Sequence, residues 1–97
     1  MFVVRNVFTC KPGKAKELVA KFKTAGPHLE ALGIHNPRVL SDASAGFWTV
    51  VVESEVESLD AYFQAVEQRG TKPEIAAAMA GYMDLVEGGR REIFKVE

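Results

Sequence analysis

The stretch Gly46-Phe47-Trp48-Thr49-Val50-Val51-Val52-Glu53-Ser54 limits what this chain can fold into more than any other. β-Branched and aromatic side chains dominate it, a glycine opens it after a small-residue turn, and a charge and a serine close it. Such a run reads as a strand covered on both faces. The rest of a 97-residue chain must supply that cover. This length is one domain, residues 1–97. So short a chain buries only about two thirds of its unfolded surface, which makes a second copy a ready source of further burial.

The flanking segments change period in a regular order. Residues 2–10 read as a strand with Phe2, Val4, Asn6, Phe8 and Cys10 on one face and Val3, Arg5, Val7 and Thr9 on the other. Lys11-Pro12-Gly13 turns the chain. Ala15, Leu18, Val19, Phe22, Ala25, Leu29 and Leu32 then recur at helical steps, with lysines and Glu17 opposite them. Gly26-Pro27 predicts a kink or a break in that helix, and Gly33 its stop. Ile34 to Leu40 is a second strand, which Pro37 pushes to an edge or into a bulge. Ser41–Ala45 is a hairpin turn into the Gly46–Ser54 strand.

Ser54 and Ser58 offer helix caps. Leu59, Tyr62, Phe63 and Val66 form a second helical stripe. Arg69-Gly70-Thr71-Lys72-Pro73 breaks it, with Thr71 as cap and Pro73 in the next first turn. Ile75, Ala76, Met79, Tyr82, Met83 and Val86 form a third stripe that Gly88-Gly89 should stop. Arg90–Glu97 alternates as a last strand, with Glu92, Phe94 and Val96 on one face and Arg91, Ile93 and Lys95 on the other.

The order β-α-β-β-α-β is the ferredoxin-like arrangement, an α+β fold with a four-stranded antiparallel sheet and helices on one face. The face away from the helices keeps Val3, Val7 and half of Phe47, Thr49 and Val51. An apolar face of that kind is an aggregation hazard. The same face of a twofold-related copy covers it, so a homodimer is expected.

With 12 basic and 13 acidic residues, the net charge is −1 and no basic stripe forms, which argues against nucleic-acid binding. No apolar run has the length of a membrane span, about 18 residues or more. Met1–Asn6 lacks a basic leader and a cleavage site. The one cysteine, Cys10, has no internal disulfide partner and points to a reducing, cytoplasmic setting.

Several local words carry a family likeness. They are Lys11-Pro12-Gly13-Lys14, Pro37-Arg38-Val39-Leu40-Ser41-Asp42, Gly46 through Glu53, Glu57-Ser58-Leu59 and Gly89-Arg90-Arg91-Glu92-Ile93-Phe94. Together they resemble the dimeric α/β-barrel superfamily, which includes NIPSNAP-like and antibiotic-biosynthesis-monooxygenase-like proteins, with the NIPSNAP-like branch nearest. The resemblance spans the chain and its words are structural. It implies paired sheets forming a barrel, with a cleft in each subunit between sheet and helices. Some members oxidise aromatic polyketides without a cofactor and some degrade haem. The haem-degrading pattern of asparagine, tryptophan and histidine transfers only at Asn6, because Trp48 lies on the third strand and no histidine follows His35. No cofactor is expected.

No nucleophile elbow, phosphate loop, paired-carboxylate motif or CxxC is present, so the sequence declares no reaction. Asn6 either faces the cleft and holds a polar ligand atom or is a satisfied core amide. His35 lies where a proton donor for a ligand would sit; His28 follows Pro27 at the helix interruption. Both also suit surface or capping roles, and they form no metal site. Trp48, Tyr62, Tyr82, Phe63, Met79 and Met83 can line a pocket for a flat apolar ligand, although Phe63 and Met79 read more readily as core. Cys10 reads as core filler. Arg5, Arg90 and Arg91 suit either a carboxylate clamp or ion pairs at a dimer rim.

Three functions follow. The first is a homodimer binding a small apolar or aromatic molecule through Asn6, Trp48, Tyr62 and Tyr82. The second is a cofactor-independent monooxygenase or isomerase acting on a polyketide-like substrate through Asn6, His35 or a tyrosine. The third is an assembly module without a ligand. An open cleft favours the first two, and a packed one favours the third.

Overall fold

The computed structural model describes residues 1–44 and 46–97, so the last residue of the expected turn, Ala45, lies outside the described residues. Strands β1 (Phe2–Cys10), β2 (His35–Ser41), β3 (Thr49–Val56) and β4 (Val86–Lys95) form one sheet in the order β2-β3-β1-β4. Each neighbouring pair is antiparallel. Helices α1 (Ala15–Glu30), α2 (Leu59–Arg69) and α3 (Pro73–Ala78), with a 3-10 turn at Tyr82–Leu85, complete the chain. This is the α+β, ferredoxin-like βαββαβ fold.

Alternation decides which side chains meet the helices. Along β3, Val50, Val52, Ser54 and Val56 are buried, while Thr49, Val51, Glu53 and Glu55 are half-buried. Two clusters form on the helix side. Val4 and Val56 pack with Ile34, Tyr62 and Ala65. Cys10 and Val50 pack with Leu18 and Leu85. Within the chain, β3 is therefore covered on one face, not both.

Several boundaries differ from expectation. α1 runs through Pro27 without stopping. A proline in the last turn forfeits only one intrahelical bond before the helix ends. The helix terminates through Gly33, at φ 89°, with the Ile34 amide donating to the Leu29 carbonyl at 3.2 Å. β3 starts at Thr49 rather than Gly46, because the Asp42 carboxylate accepts from the Thr49 amide at 2.8 Å and closes the hairpin there. Phe47 and Trp48 fall in the turn; Phe47 is 82% exposed and Trp48 has φ 56°.

The third helix ends at Ala78, well short of Val86, since Gly81 takes a left-handed conformation at φ 78°. Gly88 and Gly89 do not stop a helix but lie inside β4, opposite Thr9 and Phe8. A Cβ on Gly89 would stand 2.5 Å from the Val7 carbonyl oxygen, so this close strand approach requires glycine. Ser58 caps α2 by accepting from the Ala61 amide. Ser54 is a strand residue, and the residue at the cap of α3 is Lys72 rather than Thr71.

β2 is an edge strand whose register slips between His35 and Arg38, the bulge that Pro37 predicts.

Candidate functional site

The helices do not close completely over the sheet. A cavity of about 610 Å³ lies between them, lined by β1, β3 and β4 below and by α1, α2, α3 and the 3-10 turn above. Its walls are mostly apolar: Phe8, Phe22, Leu29, Ile34, Val52, Val66, Ile75 and Met79 contribute, with Met83 and Val86. Tyr62 reaches it from α2 and Tyr82 from the 3-10 turn. Ser54 and Asn6 present polar groups from the sheet. Volume and composition are those of a small-molecule pocket.

Asn6 is half-buried, and alternation turns it toward the helix side with Val4 and Phe8. It stands directly across from Arg91 in the β1–β4 ladder. The Arg91 Nε donates to Asn6 Oδ1 at 2.8 Å. The same guanidinium lies 5.3 Å from the centroid of the Tyr62 ring, within cation–π range. Asn6, Arg91 and Tyr62 thus form one connected corner of the cavity. Among the described residues no fully buried side-chain nitrogen or oxygen lacks a hydrogen-bond partner.

The opposite face of the sheet carries a row of charges. Glu53 accepts from Arg38 Nη2 at 2.6 Å and from Arg5 Nη2 at 2.8 Å. Glu92 continues the row, 3.9 Å from Arg5 and 3.0 Å from Arg90. The Arg38 and Arg5 hydrogen bonds hold the Glu53 carboxyl below its ordinary range. Around the row lie Val3, Val7, Val51, the exposed Leu40 and Phe94, the last 5.7 Å below the Arg5 guanidinium. The face is therefore mixed, not plainly apolar.

Of the residues singled out in sequence, Asn6, Tyr62, Tyr82, Met79 and Met83 line the cavity. Trp48 does not: it sits in the hairpin turn, 42% exposed, where its carbonyl accepts from the Cys10 amide. Phe63 is 45% exposed against the edge of Tyr62, not in the core. His28 and His35 are exposed, and neither lines the cavity. Cys10 is buried at the end of β1, and burial, helped by the Asp42 carboxylate, pushes its thiol up.

Arg5 and Arg90 pair with carboxylates on the open face, whereas Arg91 turns to the cavity. Sequence reasoning missed Ser54 and Arg69 as lining residues. Arg69 had one available sign, its place at a helix end just before Gly70. Among the described residues no group of His, Cys, Asp or Glu is placed to hold a metal ion.

This architecture has known counterparts. A NIPSNAP domain protein from Burkholderia xenovorans superimposes with a TM-score of 0.80 at 14% identity, covering 100% of this chain and 95% of that one. The fold is that of the NIPSNAP proteins. A NIPSNAP family protein of unknown function from Agrobacterium tumefaciens matches with a TM-score of 0.82 at 15% identity, over 99% of this chain and 87% of its own. A candidate antibiotic biosynthesis monooxygenase from Chloroflexus aurantiacus matches with a TM-score of 0.76 at 13% identity, over 99% and 93%. No protein-family model matches the sequence, and no curated protein matches it as a relative. No helix among the described residues is long and apolar enough to cross a membrane.

Proposed function

We propose that this NIPSNAP-like chain is a homodimeric binding protein that takes a small apolar or aromatic molecule into the cavity between sheet and helices. The observation that carries the reading is the cavity itself, about 610 Å³ of apolar-walled space. A module folded only for assembly has no reason to keep an apolar-walled cleft of this size open to solvent. Asn6, Tyr62 and Tyr82 are the polar handles that would orient the ligand. Fluorescence titration with the neutral probe 1-aminoanthracene tests this. Saturable enhancement, abolished in Ala76→Trp, which fills the cavity from α3, supports it; no enhancement by the folded protein rejects it.

Dimerisation through the open sheet face is part of the same proposal. Arg5, Arg38, Glu53, Arg90 and Glu92 on that face are already paired within the chain, and Glu55 accepts a hydrogen bond from Asn36, so a twin covering the row meets charges that largely have partners. Leu40, Val51, Val3 and Phe94 supply apolar area on both sides of the charged row. A twofold axis lying in the plane between the two faces would bring the same face of each copy together in a barrel-like pair of sheets.

The catalytic alternative, a cofactor-independent monooxygenase or isomerase, needs a group that accepts a proton from the substrate. His35, its expected proton donor, is exposed on β2 and outside the cavity. Among the described lining residues there is no histidine or carboxylate, and of the groups expected to carry the reaction only Asn6, Tyr62 and Tyr82 line the cavity. Binding is the reading adopted.

A further inference from the structure

We infer that the ligand is an anion, an aromatic or apolar carboxylate whose charged end is received by Arg91, with Arg69 a second cation lining the same cavity. The inference rests on the reading of the cavity as a ligand site and adds the chemical class. Among the described residues, the charged ones lining the cavity are all arginines: Arg69, Arg91 and Arg90, the last of which turns its side chain to Glu92 on the open face. This is notable in a chain whose net charge is −1. Arg90 is neutralised by Glu92 at 3.0 Å. Arg69 and Arg91 have no carboxylate within salt-bridge distance among the described residues. Both are exposed, so they give the cavity wall hydrated positive charge that no carboxylate among the described residues pairs.

Arg91 is also held in a receiving posture. Its Nε donates to Asn6 Oδ1 and its guanidinium carbon lies 5.3 Å from the Tyr62 ring centroid, two contacts that restrain the group without using its terminal nitrogens on a carboxylate among the described residues. Those two nitrogens offer the parallel donors that match a carboxylate end-on. A pinned guanidinium loses less freedom on binding than a free one. Beyond this corner the walls are apolar, formed by Val52, Val66, Ile75 and Met79, and suit a ring or hydrocarbon body.

Isothermal calorimetry with 2-naphthoate and its neutral isostere 2-naphthamide decides the matter. The wild-type protein is expected to bind the naphthoate about tenfold more tightly or better, the scale of charge-assisted hydrogen bonds. That ratio should collapse toward unity in Arg91→Gln, survive in part in Arg91→Lys, and fall by a smaller factor in Arg69→Gln. Thermal melting of each variant identifies any that fail to fold, and the wild-type ratio does not depend on them. Equal affinity for the two probes overturns the inference and leaves the cavity reading standing. Binding of neither probe overturns both. A preference for naphthoate unchanged in both Arg91→Gln and Arg69→Gln overturns the assignment to these arginines.

Discussion

Asn6 and Arg91 face each other across the β1–β4 ladder, and the Arg91 Nε donates to Asn6 Oδ1 at 2.8 Å. The pair joins the centre of the sheet to its edge strand at the floor of the cavity. Asn6→Ala removes the acceptor and frees the guanidinium from one of its restraints. The expected cost is about 1 kcal/mol of stability, the usual scale of a hydrogen bond, measurable by urea denaturation. Affinity for an aromatic probe should drop with it, while Asn6→Asp, which keeps an acceptor, should retain the stability.

Gly89 admits no side chain. A methyl group there meets the Val7 carbonyl oxygen at 2.5 Å, and a backbone oxygen in a ladder has no rotamer to retreat into. Gly89→Ala should therefore destabilise the fold by about 1–3 kcal/mol, the usual range for overpacking. Gly88→Ala, with nothing near its Cβ, should be close to neutral by the same denaturation assay.

Glu53 ties Arg38 and Arg5 together on the open face. Its carboxyl is held below the ordinary range, first by the Arg38 hydrogen bond and then by that of Arg5. A depressed carboxyl contributes stability that is present above its unfolded pKa and is lost as pH falls through the folded one. Glu53→Gln should thus cost roughly 1 kcal/mol at neutral pH, a figure kept small by solvent screening. The difference from wild type should vanish in acid, below the ordinary carboxylate range. Melting temperatures of the two proteins as a function of pH report this directly; a constant gap would contradict it.

Cys10 is 2% exposed, and its thiol is pushed up by burial. Both effects disfavour the reactive thiolate. Ellman's reagent should label the native protein no faster than it opens, and labelling should become fast only in denaturant. Rapid native labelling would mean that the end of β1 opens far more easily than its packing implies.

Leu40 is 39% exposed on the face assigned to the twin subunit. Leu40→Glu would place an unpaired charge beside Val51, its partner in the ladder. Sedimentation velocity should show the wild type as a dimer and the variant shifted toward monomer. A wild-type monomer at micromolar concentration would remove this part of the proposal.

Much of the fold was legible because periodicity carries it. The alternation of Phe2–Cys10, the stripe from Ala15 to Leu29 and the bulge signalled by Pro37 all belong to single segments and need no partner to be seen. The errors fall where a distant group decides. Phe47 and Trp48 look like strand, yet the Asp42 side chain ends the ladder at Thr49. Gly88-Gly89 looks like a helix stop, yet the approach of the β1 backbone explains it. Site residues follow the same division. Face and stripe make Asn6, Tyr62 and Tyr82 cleft candidates with a plain core reading beside each, and all three line the cavity. That Arg91 would meet Asn6 depended on the register of two strands far apart in sequence, and composition gives no sign of register.

The central claim is that the space between sheet and helices receives a ligand. Titration of ¹⁵N-labelled protein with 2-naphthamide, followed by amide shifts, tests it most directly. Saturable shifts gathered at Asn6, Val52, Ile75 and Tyr82 are the predicted result. Shifts confined to the open face around Val3, Val51 and Phe94, or no shifts at all, would contradict it.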